Sequence, residues 1–260
     1  MTNTENAAAT GRNTYDSGSG STKPVAVVTG ASRGLGLELA RALAAGGWKL
    51  VLTARSAGDL DRAAVELSAI TKVRALAGTI VDDDHRADLA EAAAEFGGAD
   101  LLVNNASTLT GYDLDGEAMP RLGDFPLPGL LETFEVNVLA PIALTQLVLP
   151  QLRSHAGAIV NVSSDASVEA YAGWGGYGAS KAALDHASAI LAEEEPALHV
   201  WVVDPGDMRT RMHQDAFPGE DISDRPLPAT VVPAFLNLLR TWPDSGRYRA
   251  AELIALKAGA

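Results

Sequence analysis

Short apolar runs alternate along the chain with segments of helical spacing. The runs that predict strands are Pro24–Gly30, Leu50–Ala54, Val73–Ala77, Asp100–Ala106, Ala158–Ser164, His199–Gly206 and Gly246–Ala250. The segments that predict helices are Leu35–Ala45, Leu60–Ile70, Asp88–Phe96, Leu130–Leu152 and Tyr177–Glu194. Strands that are apolar throughout are typical of a sheet covered on both faces, and their alternation with helices predicts parallel βαβ units. The expected fold is therefore α/β, a doubly wound parallel sheet.

The boundaries of the folded part follow from a change in composition. Residues 1–22 are small and polar with hardly any large apolar group, which predicts a disordered N-terminal leader. No linker-like segment interrupts the chain after Pro24, so residues 23–260 are expected to form a single domain. Pro141 lies inside the longest predicted helix, where a proline is expected to kink the helix or divide it into two pieces.

Charge and hydropathy exclude several classes of partner. The net charge is −13 and the isoelectric point is about 4.7, which argues against nucleic acid or an anionic membrane surface as a partner. No apolar run approaches the roughly 18 residues of a membrane span, and the N-terminus has no secretory signal pattern. A cytoplasmic enzyme with a small-molecule substrate is the expectation.

Metal and thiol chemistry are not expected. The chain contains no cysteine, which excludes disulfides, thiolate ligands and a thiol nucleophile. The five histidines show no spacing typical of metal ligands, so no metal site is predicted.

A glycine-rich loop stands between the first predicted strand and the first predicted helix. Its glycines permit a tight turn, a close approach of the backbone to a ligand, and close packing of helix on strand. The helix N-terminus that follows offers free N–H groups to a pyrophosphate, although a purely structural loop is the alternative. The candidate cofactor-binding residues here are Gly30, Ser32, Arg33, Gly34, Leu35 and Gly36.

Candidate catalytic residues cluster around the fifth predicted strand and the helix after it. Tyr177 and Lys181 are four residues apart at the start of a helix, so both side chains project from one face. An ammonium near a phenol favours the phenolate and lowers the phenol's pKa, which makes the pair suitable for acid–base chemistry. Ser164 ends the strand, and Asn137 lies in the long helix before it.

Together these motifs resemble the short-chain dehydrogenase/reductase family over about residues 24 to 215. The glycine loop matches the family's TGxxxGxG pattern, and Tyr177 and Lys181 match its YxxxK pattern. The resemblance implies a Rossmann-like domain and reduction of a ketone or aldehyde to an alcohol, or the reverse. It implies that Tyr177 donates the proton, Ser164 hydrogen-bonds the same oxygen, Lys181 also bonds the nicotinamide ribose, and Asn137 holds a water in a proton relay.

The residues after the second predicted strand favour NADP(H) over NAD(H). An NAD site normally has an acidic residue there, but this chain has Arg55, and Asp59 follows too late to replace it. Arg33 supplies a second cation on the same side, and a guanidinium suits a 2′-phosphate. The alternative is two solvated surface arginines.

The resemblance implies further cofactor contacts after the third, fourth and sixth strands. After strand four, Ser107 replaces the last glycine of the family's Asn-Asn-Ala-Gly motif, and the acids that usually follow strand three are displaced to Asp82, Asp83 and Asp84. The implied contacts are Thr79, Ile80, Asn104, Asn105, Ala106, Pro205, Gly206, Met208 and Thr210, together with Tyr177 and Lys181.

Other functions remain as alternatives, and the substrate is open. A catalytically silent NADP(H)-binding sensor would have the same fold, while a sugar-nucleotide epimerase would need a longer substrate domain than the chain provides after Asp204. The candidate pocket walls are Tyr171 and Trp174, the segment after the sixth strand and the insertion-like loop Thr108–Pro128. Plain loop packing is the alternative for the two aromatic residues, and a rigid surface loop is the alternative for the segment after the sixth strand. The resemblance also implies a homodimer or homotetramer formed through the helices that carry Asn137 and Tyr177.

Overall fold

The computed structural model of the protein describes residues 23–110 and 119–255. In this part of the chain one parallel sheet has the strand order β3-β2-β1-β4-β5-β6-β7. Its strands are β1 Val25–Thr29, β2 Lys49–Ala54, β3 Val73–Ala77, β4 Leu101–Asn104, β5 Ala158–Val162, β6 His199–Asp204 and β7 Gly246–Arg249. The order reverses direction between β1 and β4, and ligands of such sheets bind at the carboxyl ends of the strands beside this reversal. The predicted doubly wound, Rossmann-like α/β domain is confirmed.

The helices cover both faces of the sheet. They are α1 Gly34–Ala45, α2 Ala57–Ser68, α3 Asp83–Glu95, α4 Leu127–Phe134, α5 Ala140–His155, α6 Gly175–Glu194, α7 Arg211–Ala216, α8 Val232–Thr241 and α9 Ala250–Ala255. Short 3₁₀ turns occupy Asp165–Ser167 and Pro228–Thr230.

Alternate residues of the central strands face the two helical layers. Ala26 and Val28 of β1 belong to the apolar cluster under α1, α2, α8 and α9. Val25 and Val27 belong to the opposite cluster, with α3, α5 and α6. This period of two explains why the strands are apolar throughout and lack polar alternation, because both of their faces are buried.

The start of α3 differs from its prediction. The apolar pattern placed the helix from Asp88, but it begins at Asp83 because the carboxylate of Asp82 accepts a hydrogen bond from the backbone N–H of His85 over 3.0 Å. This side-chain cap satisfies a free donor of the first turn. The acidic residues after β3, Asp82 to Asp84, therefore form the cap and the first turn of α3.

The long helix contains an irregular turn close to its proline. Residues Glu135–Leu139 form a π-helical turn between α4 and α5, and Pro141 stands in the first turn of α5. Pro141 has no N–H, so the carbonyl of Asn137 has no α-helical donor four residues later. The predicted irregularity is present, but the chain stays helical from Leu127 to His155.

By length and composition this helix could cross a membrane, which the sequence analysis did not predict. Its most apolar window within the described residues has a mean hydropathy of 1.3, so the expectation that no such run exists was wrong. However, 44% of that window is buried inside the protein, and Asn137 in the same helix is fully buried. Part of this helix therefore belongs to the protein core.

Two sequence predictions lie outside the described residues. The leader Met1–Thr22 is outside them entirely, and so are residues 111–118 of the predicted insertion-like loop. The rest of the predicted single domain, apart from residues 256–260, is described.

Candidate active site

A cleft of about 1010 Å³ lies at the carboxyl edge of the sheet, where the strand order reverses. Most of the predicted site residues line it. These are Gly30, Ser32, Arg33, Gly34, Leu35, Arg55, Thr79, Ile80, Asn105, Ala106, Ser164, Tyr177, Lys181, Pro205, Gly206, Met208 and Thr210. Three predicted residues, Gly36, Asn104 and Asn137, do not line it.

The glycine loop is held in a shape that side chains would prevent. Gly30 has a φ of 66° and Gly34 a φ of 56°, a backbone region that L residues rarely adopt. A Cβ at Gly36 would lie 2.3 Å from the carbonyl oxygen of Gly30, so Gly36 sits behind the loop and permits close packing of α1. The loop therefore exposes its backbone and the start of α1 to the cleft, a cradle that suits a pyrophosphate.

Two adjacent asparagines after β4 have different roles. The Asn105 amide donates to the carbonyl oxygens of Thr29 and Gly30, over 2.9 and 3.2 Å, and so braces the glycine loop from the neighbouring strand. The Asn104 amide donates to Oδ1 of Asn161 over 2.8 Å and is buried between the strands and α5. Asn104 does not line the cleft, because strand alternation turns its side chain away from it, so the predicted contact of this side chain with the cofactor finds no support in the structure.

Arg33 and Arg55 lie exposed at the far end of the cleft. Among the described residues, neither guanidinium has a carboxylate within ion-pairing distance, whereas Arg41 nearby pairs with Glu38 and Glu66. Two guanidinium groups that line the same cleft and have no carboxylate partner among the described residues have the chemistry that suits a dianion such as a 2′-phosphate.

The segment after β6 lies against the glycine loop. A Cβ at Gly34 would lie 3.7 Å from the Thr210 methyl group. The Thr210 hydroxyl caps α7 by accepting from the N–H of His213 over 3.1 Å. Since a hydroxyl also has a proton to donate, capping leaves Thr210 able to donate to a phosphate or amide oxygen in the cleft.

Tyr177 and Lys181 are both buried on one face of α6, as predicted. The Lys181 ammonium lies 5.5 Å from the centre of the Tyr177 ring and donates to the carbonyl oxygen of Val162 over 2.8 Å. Burial lowers the pKa of Lys181 to about 8, while the charge of Asp185 one turn later opposes this shift. The side chain is therefore predominantly an ammonium at neutral pH.

The phenol of Tyr177 has a raised pKa, opposite to the lowering expected from the sequence. Burial is the largest cause, and the carboxylates of Asp165 and Asp204 add to it. Hydrogen bonds from Ser164 and Ser107 lower the pKa of the phenol but do not outweigh burial. The phenol is therefore protonated at neutral pH, which is the form that can donate a proton.

The Asn137 amide is fully occupied within the protein. Its Oδ1 accepts from the Ser107 hydroxyl and the Thr108 N–H over 3.0 and 2.9 Å. Its Nδ2 donates to Thr108 O and Ser180 Oγ over 2.8 and 2.9 Å. The amide has no capacity left for a water, so a water held by Asn137 would have to bind the backbone carbonyl that Pro141 leaves without a helical donor.

Two functional side chains were missed by sequence reasoning. Ser107 was noted only as a replacement for glycine, yet its hydroxyl reaches both Asn137 and the Tyr177 phenol. Asp165 lines the cleft and accepts from the Ser164 hydroxyl over 2.9 Å. Its position directly after Ser164 was the only available signal.

Comparison with known proteins agrees with this geometry. A family model described as short chain dehydrogenase matches residues 24–221. The chain belongs to the short-chain dehydrogenase family. Because it carries the family's fold and matches relatives named as oxidoreductases and reductases, it is a nicotinamide-dependent oxidoreductase acting on CH–OH or carbonyl groups.

Relatives of this short-chain dehydrogenase differ in their named activities. The uncharacterized oxidoreductase YciK of Escherichia coli is 32% identical over 223 residues, covering 83% of this chain and 85% of that protein. A rhamnolipid-biosynthesis 3-oxoacyl-[acyl-carrier-protein] reductase of Pseudomonas aeruginosa is 33% identical, covering 72% of this chain and 74% of that protein. The solved alcohol dehydrogenase of Thermococcus sibiricus, complexed with 5-hydroxy-NADP, superposes with a TM-score of 0.77 at 27% identity, over 87% of this chain and 95% of that one.

Proposed function

We propose that this short-chain dehydrogenase uses NADP(H) to interconvert a ketone or aldehyde and an alcohol, with Tyr177 as the acid and base. The observation that carries the proposal is a buried phenol that lines the cleft, with two serine hydroxyls in hydrogen-bonding reach of its oxygen and an ammonium 5.5 Å from its ring. A carbonyl oxygen placed at that phenol would receive its proton directly.

Tyr177 gives its proton to the developing alkoxide during reduction and takes it back during oxidation. The Ser164 hydroxyl hydrogen-bonds the same oxygen, for which it must turn its proton from Asp165 toward the substrate. The Lys181 ammonium stabilises the phenolate left behind, and it has two N–H groups beyond the one engaged by Val162. These groups would hold the cofactor's ribose.

The residues present fit NADP(H). The cradle formed by the loop from Gly30 to Gly34 suits the pyrophosphate, and Arg33 and Arg55 suit the 2′-phosphate. The Thermococcus sibiricus relative, named as a complex with 5-hydroxy-NADP, supports the same choice. When bound, the nicotinamide supplies or accepts the hydride.

Assembly and location belong to the same proposal. The helices α4 to α6 carry large exposed apolar side chains, namely Leu127, Leu131, Leu139, Leu147 and Ile190. We expect a homodimer or homotetramer to bury them, in a cytoplasmic protein. Light scattering at several protein concentrations measures the oligomeric state.

Turnover with a carbonyl panel tests the function. The purified full chain is mixed with NADPH or NADH and a range of ketones and aldehydes, and loss of the reduced cofactor's absorbance is followed. We expect turnover with at least one carbonyl compound and a preference for NADPH. Tight NADPH binding without turnover of any carbonyl compound would instead favour the silent sensor.

A further inference from the structure

We propose that this site reduces uncharged aryl ketones, with the substrate ring against Trp174 and with Asp165 as the residue that rejects anionic 2-oxo acids. The inference rests on the proposed carbonyl chemistry and adds the substrate class. It is supported by the lining of the cleft next to the Tyr177 phenol, which is aromatic on the side of Trp174 and acidic on the side of Asp165.

Aromatic rings form the wall beside the phenol. The Trp174 and Tyr177 rings meet edge to face with their centres 5.7 Å apart. The centre of the Phe217 ring lies 5.8 Å from that of Trp174. Trp174 lines the cleft and is only partly buried, so part of its surface is available to a ligand.

Apolar side chains also line this side of the cleft, together with His213, whose ring centre lies 4.9 Å from that of Phe217. Leu109 and Ala216 are buried in the same cluster as Tyr177, and Met212 packs against it. All three line the cleft. A ketone whose oxygen meets the phenol would therefore place a substituent against Trp174 in apolar surroundings. Aromatic pairs gain beyond the area that they bury, so a flat aryl substituent suits this wall best.

Asp165 sets the charge at the position of the reacting oxygen. Its Oδ1 accepts from Ser164 over 2.9 Å and its Oδ2 accepts from Tyr171 over 3.0 Å. Its negative charge acts at the Tyr177 hydroxyl, where it opposes formation of the phenolate. A carboxylate bonded to the substrate carbonyl would lie in the same negative field and be repelled.

The cations nearby are bonded elsewhere or lie in solvent. The Arg247 guanidinium donates to the backbone carbonyl of Ser164 over 3.0 Å and pairs with the carboxylates of Asp185 and Asp204. Lys181 is buried behind the phenol, with its ammonium turned to the carbonyl of Val162. Arg209 and Arg211 line the cleft but are exposed to solvent, and Arg211 lies 3.8 Å from the carboxylate of Asp215.

A matched pair of substrates tests the acidic side. Phenylglyoxylate and its methyl ester have the same ring and an activated ketone, and differ in charge. We expect the wild type to reduce the ester with a kcat/KM at least about tenfold higher than the acid. Asp165→Asn should reduce this ratio at least about fivefold, mainly through the KM of the acid, because the amide still accepts from Ser164. An unchanged ratio in Asp165→Asn would overturn the role of Asp165.

A second pair tests the aromatic side. Methyl phenylglyoxylate and methyl cyclohexylglyoxylate have similar size, but only the first has an aromatic ring. We expect a preference for the aryl ester that falls about three- to tenfold in Trp174→Leu. Val168→Ala is the control, since this side chain in the same loop is 62% exposed and does not line the cleft. Equal loss for both esters in Trp174→Leu would overturn the ring contact.

Failure of the inference is distinguishable from failure of the proposed function. Turnover of aliphatic ketones, sugars or 3-oxoacyl thioesters without turnover of aryl ketones overturns the substrate class and leaves the carbonyl chemistry standing. Absence of turnover with every carbonyl compound overturns both.

Discussion

The hydroxyl of Ser107 donates a hydrogen bond to Oδ1 of Asn137 over 3.0 Å and also lies within hydrogen-bonding reach of the Tyr177 phenol. It thereby joins the π-helical turn of the long helix to the phenol on α6. The backbone of Ser107 does not have a positive φ, so this position does not require a glycine. A glycine at this position would have no hydroxyl to offer.

Removing the Ser107 hydroxyl should shift the pH dependence of alcohol oxidation. When the Ser107 hydroxyl turns its one proton from Asn137 to the Tyr177 oxygen, it stabilises the phenolate and lowers the pKa of Tyr177, so Ser107→Ala should raise this pKa. Oxidation needs the phenolate, so its rate rises as the phenol loses its proton, and this ascending limb of the pH–rate profile should move to higher pH. Ser107→Thr, which keeps a hydroxyl, should restore the wild-type profile. Identical profiles for the alanine variant and the wild type would exclude this role.

Gly36→Ala should disrupt the glycine loop. The added methyl would lie 2.3 Å from the Gly30 carbonyl oxygen and 2.5 Å from the Asn105 amide nitrogen, so the loop must move. We expect NADPH to bind at least about tenfold more weakly and the melting temperature to fall by several degrees.

Gly58→Ala is the matched control for this substitution. In α2 the nearest atom to the new methyl is the tip of Arg62, 3.8 Å away, and alanine favours helix more than glycine does. Its melting temperature should be unchanged or higher, and its NADPH affinity should be unchanged. Similar losses in both variants would contradict the steric argument.

Arg55→Asp should change the cofactor preference. Loss of a guanidinium from the 2′-phosphate removes a charge-assisted hydrogen bond, which is worth about a 10- to 100-fold rise in the KM for NADPH. NADH has no 2′-phosphate, so its KM should stay the same or fall. Arg153→Asp, at the C-terminal end of α5 and away from the cleft, controls for net charge. Equal effects on both cofactors would exclude the assignment of Arg55.

Lys181 should leave a signature in the pH dependence of stability. Burial lowers its pKa to about 8 in the folded protein, against 10.5 for the free side chain. Between these values the unfolded chain binds more protons, so the free energy of unfolding should rise with pH, by at most about 1.4 kcal/mol per pH unit.

Urea unfolding of the wild type and Lys181→Met between about pH 7 and about pH 9.5 measures this contribution. The free energy of unfolding of the wild type, relative to that of Lys181→Met, should increase as the pH rises. Above about pH 10 the raised pKa of Tyr177 acts in the opposite direction, so the comparison stays below that value. A difference independent of pH would show that folding does not lower the pKa of Lys181.

Much of the fold could be predicted because its signals are local. Apolar runs mark strands buried on both faces, and the β3 strand has the predicted bounds Val73–Ala77. The start of α3 was missed because a side-chain cap at Asp82, not apolar spacing, begins that helix. The sequence could not show how the helix accommodates Pro141, since a π-helical turn and a kink are both compatible with a missing N–H.

The site was predicted less completely because several roles depend on distant contacts. The residue types around the phenol pointed to acid–base chemistry, but the direction of its pKa shift depends on burial, which no spacing reveals. Strand alternation separates Asn104 from Asn105, and only the strand register shows which one reaches the glycine loop. The position of Asp165 beside the phenol likewise depends on the short 3₁₀ turn after β5.

The central claim is that the Tyr177 hydroxyl gives and takes the proton at the substrate oxygen, and Tyr177→Phe tests it most directly. The ring is kept, so its contact with Trp174 and the fold should persist, and NADPH should bind within about threefold of the wild type. Single-turnover reduction of the best carbonyl substrate should be slower by about a hundredfold or more, the contribution expected of a positioned acid. A Tyr177→Phe protein that binds NADPH normally and reduces that substrate at the wild-type rate would contradict the account.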